Sequence, residues 1–327
     1  MRAAFIRGLI EAAKDDKRIH LLVGDVGYSL VEPFAREFPD RFVNVGIAEQ
    51  NMIGIAMGLA LCDRVVFVYS LANFPTLRCI EQIRNDVCYH NAGVKIVASG
   101  GGLSYGALGV THHVTEDMGI LRILPNMTVI APGDPVESAL ATRSISKWLG
   151  PCYLRLAKTG DPTVYQTTPD FRIGRAIMVR DGSDVTLVAT GGILWNAVKA
   201  AEQLSLWDIQ CRVLSMHTLK PLDVDSVVAA ARETGVVITI EEHTIIGGLG
   251  SAVSEVLAEH AGSDALFKRI GIADRFCSEV GSQAYLQKAC SLSVEDIVDT
   301  VRSLVREKSL SRKRETRVIH SGKITVK

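Results

Sequence analysis

Two spacings alternate along the first half of the chain. Short aliphatic and β-branched runs at residues 19–23, 42–45, 65–69, 94–98, 127–131 and 152–156 are separated by longer stretches of amphipathic character, among them 48–61, 76–90 and 134–147. Apolar runs of this kind read as strands buried on both faces, and connections long enough to hold a helix make those strands parallel. The pattern predicts a doubly wound α/β domain over residues 1–167. Residues 157–182 lose the alternation and concentrate Thr, Pro, Gly and Asp, as a crossing between domains does, which places the boundary near Thr168.

A second alternating series follows, with strands expected at 185–189, 210–214, 236–240 and 267–272 and helices at 194–204, 223–233, 250–260 and 294–306. It defines a smaller α/β domain over 168–306, so the fold class is two doubly wound domains with mostly parallel sheets. From Glu307 the chain reads EKSLSRKRETRVIHSGKITVK, basic and without an apolar period. The stretch 307–327 is expected to be a solvated tail rather than a nucleic-acid contact.

Composition narrows the function classes. At 327 residues the chain is long enough for two cores, and 36 basic residues balance 36 acidic ones, so no net field collects nucleic acid or an anionic membrane. The longest uncharged apolar stretch, residues 51–62, is 12 residues long, and a bilayer span needs about 20. Arg7 and Glu11 interrupt the N-terminal apolar residues at helical spacing, unlike an export signal. Seven cysteines without a C-x-x-C pair read as reduced thiols. The chain is expected to be cytoplasmic, with no nucleic acid and no membrane among its partners.

Glycine-rich turns raise a nucleotide reading, which the spacing rejects. SGGGLSYGALG places Tyr105, and IIGGLGSA leads to Val253, where a dinucleotide fingerprint needs glycine, and no P-loop occurs. His112-His113 is a poor metal pair, because adjacent side chains point in different directions. More informative is RFVNVGIAEQNMIGIAMGLAL, where a strand ends, a short loop follows and Glu49 opens a long helix. That puts one carboxylate at the C-terminal edge of a parallel sheet, where α/β proteins bind ligands, although an acid at a helix start also simply complements the helix dipole. Gly54 and Gly58 on that helix are expected to allow close packing.

GIAEQN, FVYSLANFPTLRCIEQIRNDV, GGLSYGALGVTHH, LRILPNMTVIAPGDPVE and EEHTIIGGLGSAVSEVL occur in this order over residues 20–300. Through them the chain resembles the C-terminal half of a transketolase: the pyrimidine-binding domain and the C-terminal domain, without the half that grips the diphosphate. The resemblance implies thiamine diphosphate as cofactor, Mg2+ or Ca2+ with its ligands on a separate N-terminal-half subunit, no metal ligands on this chain, and self-association as a dimer within a heterotetramer. Gly24-Asp25-Val26-Gly27 is only superficially like the metal-binding G-D-G of such enzymes, since its third residue is Val26.

The resemblance also assigns roles. Glu49 would share a proton with the pyrimidine N1' and so promote loss of the C2 proton that creates the attacking ylid. For this its carboxyl should be desolvated, by Val45, Ile47, Met52 and Ile53. Phe74 would stack on the pyrimidine, Asp25, Leu71 and Arg78 would line the cofactor or substrate channel, and His112 would bind the sugar or relay protons. Lys158, with Arg155 three residues before it, matches the place of a substrate-phosphate arginine. Ala107 and Leu108 stand where transketolases carry an acidic pair that reads a substrate hydroxyl, and Gly100 stands where they carry a histidine. The implied reaction is two-carbon ketol transfer from a ketose or ketose phosphate to an aldose-type acceptor. The alternatives are the β subunit of a 2-oxo acid dehydrogenase first component, which would release carbon dioxide, and a non-catalytic assembly partner.

Overall fold

A computed structural model describes residues 1–158, 160–261 and 265–321. Its strands are β1 (Ile19–Val23), β2 (Phe42–Asn44), β3 (Val65–Leu71), β4 (Val94–Ser99), β5 (Thr128–Ile130), β6 (Cys152–Leu156), β7 (Ile177–Arg180), β8 (Val185–Thr190), β9 (Cys211–Ser215), β10 (Thr218–Lys220), β11 (Val236–Thr244) and β12 (Leu266–Ile272). They form a seven-stranded sheet ordered β10-β5-β6-β4-β3-β1-β2 and a five-stranded sheet ordered β12-β11-β8-β9-β7. Every pairing is parallel except those of the edge strands β10 and β7.

The central strands are buried along their lengths, β4 and β6 at every position, because helices cover both faces. In register, Leu21 faces Phe67, Ser70 faces Ala98 and Ser99 faces Leu156, which brings the C-terminal ends of β1, β3, β4 and β6 to one edge. The helix Glu49–Leu61 buries Met52, Ile53, Ala56 and Met57 against that sheet. Gly54 and Gly58 depart from expectation: a Cβ added at either would meet no atom within 4 Å, so among the described residues nothing packs on them.

The segment expected as one helix over 76–90 is instead a 3-10 turn at Leu77–Cys79, a single α turn at Ile80–Gln82 and a π turn at Ile83–Cys88. The last helix, expected to end at Arg306, runs over Val294–Ser321 and takes in most of the stretch read as a tail; residues 322–327 lie outside the described ones. β10, which lies beyond Thr168 in the chain, returns to pair with β5 of the first sheet. One hydrophobic cluster joins Val68, Ile96 and Met118 of the first domain to Leu214, Val237, Leu249 and Val253 of the second. That shared core holds the domains together. Among the described residues, no helix is long and apolar enough to cross a membrane.

Candidate active site

β2 ends at Asn44, whose Oδ1 accepts from the backbone N–H groups of Asp25 (3.1 Å) and Gly46 (3.0 Å). Gly46 takes a φ of 74°, a turn few side chains allow, and the chain then enters the helix with Glu49 as its first residue. Glu49 is 2% exposed. Met52 and Ile53, one turn further along the helix, are fully buried, whereas Ile47, also expected to shield the carboxyl, is 78% exposed. Gly24, just past β1, lies beside the carboxylate: a Cβ there would be in ordinary contact with Glu49 Oε1 and Ser70 Oγ, both at 3.6 Å.

Arg78 reaches back from the 3-10 turn, and its Nη1 donates to Glu49 Oε2 at 2.6 Å. The same guanidinium lies 4.6 Å over the ring of Phe74, half-buried just beyond β3. His112 meets Phe74 edge-on at 5.7 Å between ring centroids, Tyr105 meets His112 at 6.4 Å, and Lys158 Nζ sits 5.0 Å from the Tyr105 ring. The structure thus brings Glu49, Arg78, Phe74, His112 and Lys158 into one continuous line at the strand ends. Leu71 closes β3 beside them and is half-buried.

Asn73 orders the loop opposite. Its Nδ2 donates to the carbonyls of Thr111 (3.2 Å) and His113 (2.8 Å), clamping the turn that presents His112, whose Nδ1 lies 3.0 Å from Thr111 Oγ1. Among the described residues, Asn73 Oδ1 and Ser70 Oγ are buried without a hydrogen-bond partner. Cys79 packs below, and burial with Glu49 beside it pushes the thiol up to about 12, so it stays protonated and inert.

Asp25 lies at the same edge with a φ of 54°. Its Oδ1 accepts from Asn44 Nδ2 and from the Tyr28 hydroxyl, both at 3.0 Å, and these bonds hold the carboxyl below its ordinary range. Asp25 therefore acts as an anion that ties β1 to the Asn44 turn.

Arg155 requires a correction. It is 5% exposed in β6, with Nε donating to Asp117 Oδ2 (2.8 Å) and Nη2 to the carbonyls of Val114 (2.6 Å) and Glu242 (3.0 Å). A guanidinium so engaged has no fork left for a substrate phosphate; it ties the first domain to β11. Lys158, by contrast, is exposed.

Two features escaped sequence reasoning. Tyr105 packs against Gly100, whose φ is 92°; a Cβ there would lie 2.1 Å from the tyrosine ring. The missing side chain at Gly100 was the available signal that a neighbour fills its place. Glu242 is the other: buried in β11, it accepts from the Leu103 N–H and from the side chains of Gln283 (3.0 Å) and Gln287 (2.6 Å), and burial raises its carboxyl above the ordinary range. It fixes the base of the loop carrying Tyr105 and His112. Among the described residues, no group of three or more His, Cys, Asp or Glu is placed to hold a metal ion.

With this geometry in view, residues 1–160 match the family model "Transketolase, pyrimidine binding domain" and residues 174–297 match "Transketolase, C-terminal domain". The chain is 36% identical over 310 residues to a 6-deoxy-6-sulfo-D-fructose transketolase subunit of Clostridium sp., covering 94% of this chain and 95% of the relative. It is also 36% identical over 300 residues to an apulose-4-phosphate transketolase subunit of Actinobacillus succinogenes, covering 91% and 96%. A solved structure described as a split gene transketolase, inactive beta4 tetramer, superposes with a TM-score of 0.85 at 36% identity, covering 94% of this chain and 98% of the other.

Proposed function

The chain belongs to the transketolase family, as a pyrimidine-binding domain joined to a C-terminal domain, and from that premise we propose that it is one subunit of a thiamine diphosphate-dependent enzyme that transfers a two-carbon ketol unit from a ketose or ketose phosphate to an aldose-type acceptor. A separate subunit holds the diphosphate and its Mg2+ or Ca2+. The assembly is two copies of each chain, so that two sites form.

Glu49 carries the reading. A buried carboxyl at the C-terminal edge of a parallel sheet, beside an aromatic face and the unpartnered Ser70 Oγ and Asn73 Oδ1, fits a flat, nitrogen-bearing ring with polar edges. When bound, thiamine diphosphate supplies an acidic C2–H carbon and an electron sink for breaking the bond next to a ketose carbonyl. Glu49 offers the proton-sharing oxygen for the ring, Phe74 its face, and Leu71 and Asp25 the wall. His112, held by the Asn73 clamp, presents an imidazole that binds a sugar hydroxyl or passes its proton. Lys158 offers a point charge to an anionic substrate end. Leu108 is 54% exposed where the family's hydroxyl-reading acid would stand, which supports a substrate other than the ordinary pentose phosphate pair. The two relatives named for sulfofructose and apulose phosphate fit a subfamily with varied anionic sugars.

Deuterium exchange at C2 of thiamine diphosphate, measured in the assembled enzyme, tests the assignment. Glu49→Gln is expected to slow exchange by about 100-fold or more, the scale of a lost acid-base group, with folding and assembly preserved. An unchanged exchange rate would remove Glu49 from the chemistry.

A further inference from the structure

Arg78 covers both surfaces that the cofactor ring is proposed to use. Its Nη1 is bonded to Glu49 Oε2 at 2.6 Å and its guanidinium carbon lies 4.6 Å over the Phe74 ring. A guanidinium is flat, donates hydrogen bonds in its own plane and stacks on aromatic faces. An aminopyrimidine shares the flatness, the in-plane hydrogen bonding and the stacking face. Two flat groups cannot lie at that distance on one face of one ring, so the arginine and the pyrimidine exclude each other.

The two partners differ in what binds them. Glu49 has 2% of its side chain exposed and is held by the helix it opens, while Arg78 keeps 45% exposed and rises from a short 3-10 turn. Among the described residues, the one hydrogen-bond partner of its guanidinium is Glu49. Its main chain is anchored separately, since the Arg78 carbonyl accepts from Gln50 Nε2 at 3.0 Å, so the side chain can leave without moving the turn. A buried carboxylate needs a partner, and Arg78 supplies one until a ligand arrives.

We propose that Arg78 is a placeholder: it occupies Glu49 and Phe74 in the empty chain, competes with the pyrimidine ring for them, and swings toward solvent when the cofactor enters. This rests on the reading that Glu49 and Phe74 form the ring's site. It reverses the ordinary expectation for an arginine in a pocket for an anionic cofactor, since removing the positive charge should improve binding. The exchange also changes what Glu49 faces. Arg78 presents only donors to Glu49, whereas a ring nitrogen presents an acceptor.

The dissociation constant of thiamine diphosphate, measured by calorimetric titration of the full chain assembled with its diphosphate-binding subunit, tests the proposal. Arg78→Met keeps the aliphatic bulk and should tighten binding by about 3- to 10-fold, the scale of a half-exposed ion pair. Arg78→Lys, which keeps the charge and loses the planar fork, should tighten it less, and covers the case in which the methionine disturbs folding. In a Glu49→Gln background, the gain from Arg78→Met should fall below about twofold, because the carboxylate that anchors the arginine is gone. Weaker or unchanged binding in both arginine variants would overturn the proposal, as would an undiminished gain in the glutamine background. C2 exchange in Glu49→Gln alone reports separately on the underlying site, so a failed placeholder and a failed site give different results.

Discussion

His217 is fully buried just before β10, stacked on Phe171 at 4.1 Å between ring centroids, with Nδ1 2.9 Å from Thr218 Oγ1. Desolvation pushes its imidazole down to about 4 from an ordinary 6.5. The fold therefore holds the ring neutral while the unfolded chain takes up a proton near pH 6.5. Its contribution to stability is intact above pH 6.5, declines as pH falls, and is exhausted below about pH 4. Between pH 7.5 and 5.0 this amounts to about 2 kcal/mol. Urea denaturation at the two pH values should show that loss in the wild type and not in His217→Gln; equal losses in both would show that the ring is not the group responsible. At this scale the site was partly legible. Glu49, Phe74 and His112 lie within contiguous motifs that carry their neighbours with them. Arg155 was misread because two basic residues three apart look alike in sequence, and only the packing of β6 against Asp117 and β11 separates the buried one from the exposed Lys158. Tyr105 was missed because its importance comes from an absent side chain at Gly100.

The helix Glu49–Leu61 has two surfaces with opposite roles. One carries Met52, Ile53, Ala56 and Met57 into the core; the other leaves Gly54, Gly58 and Leu61 toward solvent, with Ile47 and Val43 exposed nearby. Small residues bordered by exposed apolar ones suit contact with another chain. Gly58→Leu should therefore leave the free chain at least as stable as the wild type, since a Cβ there meets nothing among the described residues, and glycine in a helix interior costs about 1 kcal/mol relative to alanine. The same change should shift the chain toward smaller species in light scattering. Unchanged assembly of the folded variant would show that this face is not an interface. Long periodic runs made most elements legible, β1 and β6 to the residue. The edge strands β7 and β10 and the helix Gln283–Ala289 were not, because short elements take their stability from tertiary partners: β10 from β5, and the helix from Glu242 through Gln283 and Gln287. The break in 77–88 has the same origin. A turn that must aim Arg78 at Glu49 and set Cys79 beneath Phe74 cannot continue as a regular helix, and π turns gather at such places.

The two domains share a hydrophobic cluster and the bond from buried Arg155 to the Glu242 carbonyl, so the molecule presents the strand edge of its first domain as one fixed surface. Under the function proposed above, that surface carries the pyrimidine side of a site. The diphosphate side requires a second polypeptide under the reading advanced above. The central claim is thus one of division: catalytic carboxyl and aromatic face on this chain, diphosphate and metal on another. Two-carbon transfer from a ketose phosphate to an aldehyde, assayed with thiamine diphosphate and Mg2+ for the purified chain, for the purified diphosphate-binding subunit and for their mixture, tests it most directly. Activity should arise in the mixture alone and saturate at one copy of each chain. Turnover by this chain without the second subunit would contradict the account.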